Sequence, residues 1–350
     1  MAIYEIDPLS DSRWEAFLQS HPGASAFHAT AWSRALRNTY GYVPLVLTTS
    51  PPTGKITNGL AFCRVRSWLT GTRLVSVPFA DHCQPLFNDT QDGHYLAALL
   101  PGLLKQEHCD YVEARLLSSD FFECLEDKPS PSTAFVHHSL DLTQKLQTLF
   151  DRMHQSCFRR KIKRAEKEGL IYAEGSSDAI VHQFHSLLVM TRRRHGVPPQ
   201  PLAWFRNLRD SFSDAMRIGV ALKNGRPIAS MLTLRYKSTL VYKYGCSDAA
   251  FHSLGPMPFL FWQTIQRGKA AGATEFDLGR SDTNADGLIA FKNHMGAVAK
   301  PLTYYRFASS SATPKFLSRL IQNRRLSAIS SHLPGVLLRA AGSFLYRHAG

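Results

Sequence analysis

Several classes of protein are excluded by what this chain lacks. No stretch reaches the roughly 18 to 20 apolar residues that a membrane-spanning helix needs. The opening MAIYEIDPLSDSRWE has neither a basic leader nor an apolar core, so no secretory signal is expected and the cytoplasm is the expected location. The six cysteines, at 63, 83, 109, 124, 157 and 246, form no CxxC pair and are widely spaced. They read as buried thiols in a reducing compartment, not as a disulfide framework or a zinc knot. Fifteen histidines give no HExxH motif and no compact His/Cys set, with His28, His82, His94 and His108 scattered, so no metal is expected. Acidic residues run out altogether: from Gly287 to Gly350 there is no Asp or Glu, while nine residues are Lys or Arg.

What is present is a core-forming composition. Of 350 residues, 44% are apolar and 19% charged, which excludes wholesale disorder and suffices for two ordinary domains. Lys and Arg total 41 against 27 Asp and Glu, a formal net charge of +14. An excess of that size points to a polyanionic partner: phosphate ligands, nucleic acid or an acidic membrane surface.

Hydrophobic periodicity and turn residues give an order of elements. In the C-terminal half, strands are expected at 215–222, 227–236 and 239–246, with Asn224-Gly225 as a hairpin turn because a type I′ turn needs φ > 0 twice. A helix at about 257–271, a strand at 274–278, a small helix at 288–295 and a strand at 301–308 follow. The N-terminal half repeats this faintly: strands at 43–49, 56–66 and 73–79, a helix at 92–107, a strand at 110–117, a short segment at 120–126 and a strand at 134–141. The Pro/Ser-rich segment 127–133 (DKPSPST) is the expected break between the halves. Helices are expected at 143–168, capped by Thr143 and ended by Gly169, and at 178–194 and 202–213. The basic tail alternates apolar and cationic residues at helical spacing. It reads either as helices docked on the domain with a solvated basic face or as an interfacial helix on anionic lipid.

Three segments can carry chemistry. In SCFRRKIKRAEKEG (156–169), Arg160, Lys163, Arg164 and Lys167 share one helix face, which suits a phosphate backbone; the plainer reading is a solvated face with internal ion pairs. In CSDAAFHSLGPMP (246–258), a loop with His252 and Gly255 leads into a helix N-terminus that can offer N–H groups to a pyrophosphate, or is an ordinary connection. In FDLGRSDTNADGLIAFKNHMGA (276–297), Asp277, Arg280, Asp282, Lys292 and His294 gather beyond the end of a strand, where ligands of α/β sheets commonly sit; a structural ion-pair network is the alternative. His137-His138 with Asp141 looks like a condensation-type HHxxxDG motif, but it is one residue short and lacks the glycine, so it is set aside.

Ordered blocks along the chain resemble the FemAB-like branch of the GNAT acyltransferase superfamily, and most closely the FemAB-related proteins of exosortase/PEP-CTERM exopolysaccharide systems. The blocks are FHATAW (27–32), YGYVP (40–44), TGTRLVSVPFAD (70–81), RKIKRAEKEGL (160–170), YGCSDAAFHSLGPMPFLFWQTIQ (244–266) and EFDLGRSDTNADGLIAFKNHMGA (275–297). They cover roughly residues 10–310. The resemblance implies a mixed α/β (α+β) fold of two tandem GNAT-like domains, 1–133 and 134–310, the second carrying the acyltransferase, with a basic amphipathic helical tail over 311–350. It implies transfer of an acyl or aminoacyl group to an amine, with acyl-CoA as the donor of ordinary GNAT enzymes and aminoacyl-tRNA as that of Fem enzymes. The GNAT pyrophosphate loop reads Gln/Arg-x-x-Gly-x-Gly/Ala. His252 to Met257 stands in its place and matches only at Gly255, which speaks against CoA binding there. Phe291-Lys292 matches the Fem pattern in which the lysine lies in the active site.

Acyl transfer needs a deprotonated amine and a donor to the tetrahedral oxyanion. Lys292 is assigned as the cation near the reacting carbonyl or a substrate phosphate, Arg280 as a second clamp, and Asp277 as proton acceptor or as the group that orients Lys292. Tyr244, Asp248, His252 and Gly255 are expected to line the donor site, with Arg160 and Arg164 contacting phosphate. Three functions stand: an N-acyltransferase serving envelope or exopolysaccharide assembly, an aminoacyl-tRNA-dependent transferase acting on a peptidoglycan precursor, and a non-catalytic scaffold of the same fold. The tail over 314–348 would hold any of them peripherally at the inner face of the plasma membrane.

Overall fold

A computed structural model describes residues 2–118, 120–125, 129, 131–308 and 335–350. Part of the expected break at 127–133 and the tail residues 311–334 lie outside them. In chain order the first half gives β1 (Tyr4–Ile6), α1 (Ser12–Ser20), α2 (Thr30–Tyr40), β2 (Val43–Thr48), β3 (Asn58–Ser67), β4 (Gly71–Val75), β5 (Leu86–Phe87), α3 (Thr90–Gln106), β6 (Tyr111–Leu116) and β7 (Pro131–Asp141). Then come α4 (Leu146–Arg152), α5 (Arg160–Lys167), β8 (Ile171–Gly175), α6 (Asp178–Arg194), α7 (Leu202–Phe212), β9 (Met216–Lys223), β10 (Arg226–Tyr236) and β11 (Thr239–Ser247). The last elements are α8 (Pro256–Ala270), β12 (Glu275–Asp282), α9 (Asp286–His294), β13 (Val298–Ala308) and α10 (Gly335–Ala349). No helix among the described residues is long and apolar enough to cross a membrane.

The chain forms two compact units. The first holds residues up to Phe135, the stretch from Pro301 and Phe344–Gly350. Its strand order is β1-β2-β3-β4-β6-β13, with β5 beside β3. β4 and β6 run parallel, which requires the crossover that α3 supplies. Leu96, Leu100 and Leu103 of α3 are buried against Leu74, Val112 and Phe122. A loop over 76–81 holds Val77 and Phe79 at positive φ, a strained state for both residue types. It persists because its carbonyls are gripped: Arg115 donates to Val77 and Ala80, and Trp32 Nε1 to Pro78. Sequence order gives the strand at 301–308 to the second half, yet one of its edges pairs with β6, Thr303 opposite Leu116 and Ala308 opposite Tyr111.

The second unit takes Val136–Lys300 and part of α10. Its strand order is β7-β12-β11-β10-β9-β8. β9 and β10 meet at Asn224 and Gly225, both at positive φ, the expected hairpin turn. α8 crosses between β11 and β12. It buries Phe259, Leu260, Phe261, Trp262 and Ile265 into a core with Phe158, Ile162 and Phe276. Each such side chain contributes about 1.5–3 kcal/mol. The long helix expected at 143–168 is broken: at Met153 the backbone turns extended, and the His154 N–H donates to the His294 carbonyl instead of continuing the helix. A π-helical turn, Gln155–Arg159, then leads into α5. Propensity favoured one helix; a tertiary hydrogen bond overrides it.

Two irregularities open this sheet. In the β10–β11 pairing Leu232 faces Tyr244 and Thr233 faces Tyr242, so Lys243 is a bulged residue. The parallel pairing of β11 with β12 covers only Thr239–Val241 against Glu275–Asp277. Beyond that point the carboxyl ends of both strands are unpaired with one another, the position at which α/β sheets receive ligands.

Candidate active site

β12 carries the first group of side chains. Asp277, the last residue paired with β11, is buried, and its Oδ1 accepts from the Gly279 N–H at 2.7 Å and from His137 Nε2 at 2.8 Å. A carboxylate can only accept, so His137 Nε2 carries a hydrogen and donates it. Gly279 lies at φ 67°, a left-handed conformation that suits glycine and turns its carbonyl out of the strand ladder. That carbonyl and the next, of Arg280, accept from Lys292 Nζ at 2.9 and 3.1 Å. Lys292 is the one wholly buried residue of α9, 2% exposed. A buried ammonium is tolerated only where it is hydrogen-bonded, and these two carbonyls meet that need.

The next residue on β7, His138, points to the opposite face, as strand alternation requires. It is fully buried, and Nε2 donates to Asn293 Oδ1 at 3.1 Å, beside Lys292 on α9. Its Nδ1 is buried without a hydrogen-bond partner. Burial, and then the Lys292 charge, hold its pKa below the ordinary 6.5. The unfolded chain therefore takes up a proton where the folded chain does not, so this contribution to stability is complete above pH 6.5 and is lost as pH falls from there toward the folded value. His138→Gln should flatten the fall in denaturation midpoint as pH drops below 6.5. His185, His195, His252 and His348 are shifted downward too but remain in the variant, so the difference reports His138. An unchanged slope would show that His138 does not carry this dependence.

The second group surrounds the start of α8. His252 Nε2 bonds Ser247 Oγ at 2.8 Å, and its pKa is lowered by burial and then by Arg194. Asp248 caps the turn through Ala250 N–H and pairs with Arg226 at 2.8 Å, a structural role. Gly255 sits at φ +74° with its α-carbon against α5: a Cβ there would lie 2.8 Å from the Lys161 carbonyl oxygen. Gly255→Ala should cost about 1–3 kcal/mol from the backbone conformation alone, read as a lowered urea midpoint; an unchanged midpoint would mean that the loop relaxes freely. Pro256 and Pro258 have no N–H, and the Phe259 N–H bonds the Gly255 carbonyl. Met257 alone is left to offer a free N–H to a phosphate from the first turn.

The structure thus brings Asp277, Lys292 and the Arg280 backbone together, and separately His252, Asp248 and Gly255. Tyr244 belongs to neither group: its hydroxyl accepts from Trp204 Nε1 at 2.9 Å and its ring packs edge-on against Phe205 of α7. Arg160, Lys163, Arg164 and Lys167 are all exposed on α5, whose Ile162 and Ala165 face the core. His137 and His138 were missed by sequence reasoning. The only local signal was the histidine pair that fails a different motif.

Residues 154–293 match the profile of the Acetyltransferase (GNAT) domain family. The part of the second unit that carries the bulge and the strand divergence is the part that resembles this family. Among curated proteins, the UDP-N-acetylmuramoylpentapeptide-lysine N(6)-alanyltransferase of Weissella viridescens is 26% identical over 189 residues, 53% of this chain. The match spans about half of that relative, 55% of its length. A crystal structure of FemX superimposes with a TM-score of 0.68 at 15% identity, covering 92% of this chain and 100% of that one. The L-PGS of Bacillus licheniformis gives a TM-score of 0.57 at 15% identity, covering 90% of this chain and 98% of that one. These likenesses support a Fem-like branch of the GNAT fold.

Proposed function

We propose that the chain transfers an aminoacyl group from aminoacyl-tRNA to an amine of a cell-envelope precursor. The observation that carries this reading is the first turn of α8: with Pro256 and Pro258 in place, it lacks the N–H groups that would hold the pyrophosphate of acyl-CoA. The exposed cations of α5, one helix away, suit a nucleic acid backbone instead. The alanyltransferase relative supports a peptidoglycan-precursor peptide as acceptor. The resemblance to exopolysaccharide-associated proteins makes an amino-sugar precursor the second acceptor to offer.

In this reading the acceptor amine attacks the ester carbonyl, and the ester oxygen leaves as the ribose hydroxyl. Lys292 stabilises the oxyanion, its ammonium held in place by the Gly279 and Arg280 carbonyls. Arg280 clamps a phosphate or carboxylate of the substrate. The amine proton passes to His137 and on to the departing ribose oxygen, and Asp277 stabilises the transient imidazolium through Nε2–H. No covalent intermediate is required. The basic tail over 314–348 would keep the protein at an anionic membrane surface beside a lipid-linked acceptor.

The test is binding of alanyl-tRNA, acetyl-CoA and a longer acyl-CoA, side by side at two salt concentrations, followed by transfer to a muramoyl pentapeptide. Salt-sensitive binding of the tRNA with no CoA binding is the expected result. Tight CoA binding would overturn the donor assignment, and binding of neither donor would favour the scaffold.

A further inference from the structure

The turn between α4 and α5 brings together three donor side chains that the proposed transfer does not use. His154 caps the π-helical turn, Cys157 lies within it, and His294 closes α9. One ligand-type atom from each lies within 4.8 Å of the others. The junction is fixed by the backbone, His154 N–H donating to the His294 carbonyl at 2.8 Å. The two imidazoles face each other with ring centroids 4.4 Å apart. His154 is exposed and the other two are half-buried, so an ion can reach the cluster and keep a water ligand.

We infer that His154, Cys157 and His294 bind a divalent, borderline-soft transition-metal ion of the Zn2+ type. Two imidazoles and a thiolate, with water in a fourth position, are a tetrahedral donor set for such an ion, whereas hard cations such as Mg2+ require oxygen. His154 Nδ1 now accepts from Cys157 N–H at 3.3 Å and contacts Ser156 Oγ at 3.2 Å. Both contacts are at the long end of the hydrogen-bond range, so an ion that takes this lone pair displaces little. Binding ionises the Cys157 thiol: the S–H bond breaks, a sulfur–metal bond forms and one proton goes to solvent, with no change of oxidation state. The bound ion would pin the end of α9, which carries Lys292, to the turn that starts α5. Sequence reading excluded a metal because His294 is remote along the chain from the other two.

The full chain, stripped with a chelator and dialysed, is titrated with Co2+ and followed by absorbance. The expected result is one equivalent bound, with a thiolate-to-cobalt charge-transfer band and tetrahedral d–d bands that Zn2+ abolishes. Cys157→Ser should remove the charge-transfer band. His294→Ala should weaken binding at least about tenfold, since even outer-shell partners of a metal contribute that much. Cys124→Ser, which alters the other half-buried cysteine, should leave the titration unchanged. Circular dichroism of the metal-free variants checks that the fold is kept. No saturable binding, a spectrum without thiolate character, or binding that survives in both Cys157→Ser and His294→Ala would overturn the site.

Discussion

Lys292→Met should lower the transfer rate by about 10²–10³-fold, the usual loss when a donor to a developing oxyanion is removed. Methionine keeps the volume and the apolar stem, so the helix continues to pack. It leaves the Gly279 and Arg280 carbonyls without the ammonium that now bonds them. Buried acceptors left unpaired cost about 1–3 kcal/mol, so a modest drop in melting temperature accompanies the kinetic loss. Rate and melting curve are measured on the same preparation. Were the melting temperature to fall while the rate per folded molecule stayed at the wild-type level, Lys292 would be a brace for β12 and not a catalytic cation.

Replacing Arg160, Lys163, Arg164 and Lys167 together by glutamine should weaken aminoacyl-tRNA binding about 10²-fold at low salt and lower the salt slope of log K by about 3 to 4. All four are exposed, and the residues that seat α5, Ile162 and Ala165, are untouched, so folding should not change. An unaltered slope would mean that the tRNA backbone runs elsewhere, and would return these residues to the solvated-face reading.

Local signals were legible and distant ones were not. Asn224-Gly225 marks its hairpin because a type I′ turn is decided by two residues. The start and end of α8 follow from Pro256 and Gly272 in the same way. The cluster FDLGR to AFKNH pointed correctly to Asp277 and Lys292 as neighbours, because a short strand and the helix after it must fold back on each other. His137 could not be found like this. Its partner Asp277 lies 140 residues away, and periodicity does not say which strand will lie alongside β7. The surroundings of Tyr244 were hidden for a related reason: strand alternation placed it on the face covered by α7, where Trp204 Nε1 donates to its hydroxyl. The break before His154 depended on a carbonyl at the far end of α9, beyond the reach of any helix propensity.

The strand order has a consequence for how such a chain can be divided. β6 has β13 as its neighbour, so the strands of the first unit are completed by one that chain order assigns to the other half. A cut at the apparent linker would leave the first fragment without β13 and with β6 as an open, sticky edge, while β7 stays with the second. Synthesis must reach β13 before the first half can finish folding.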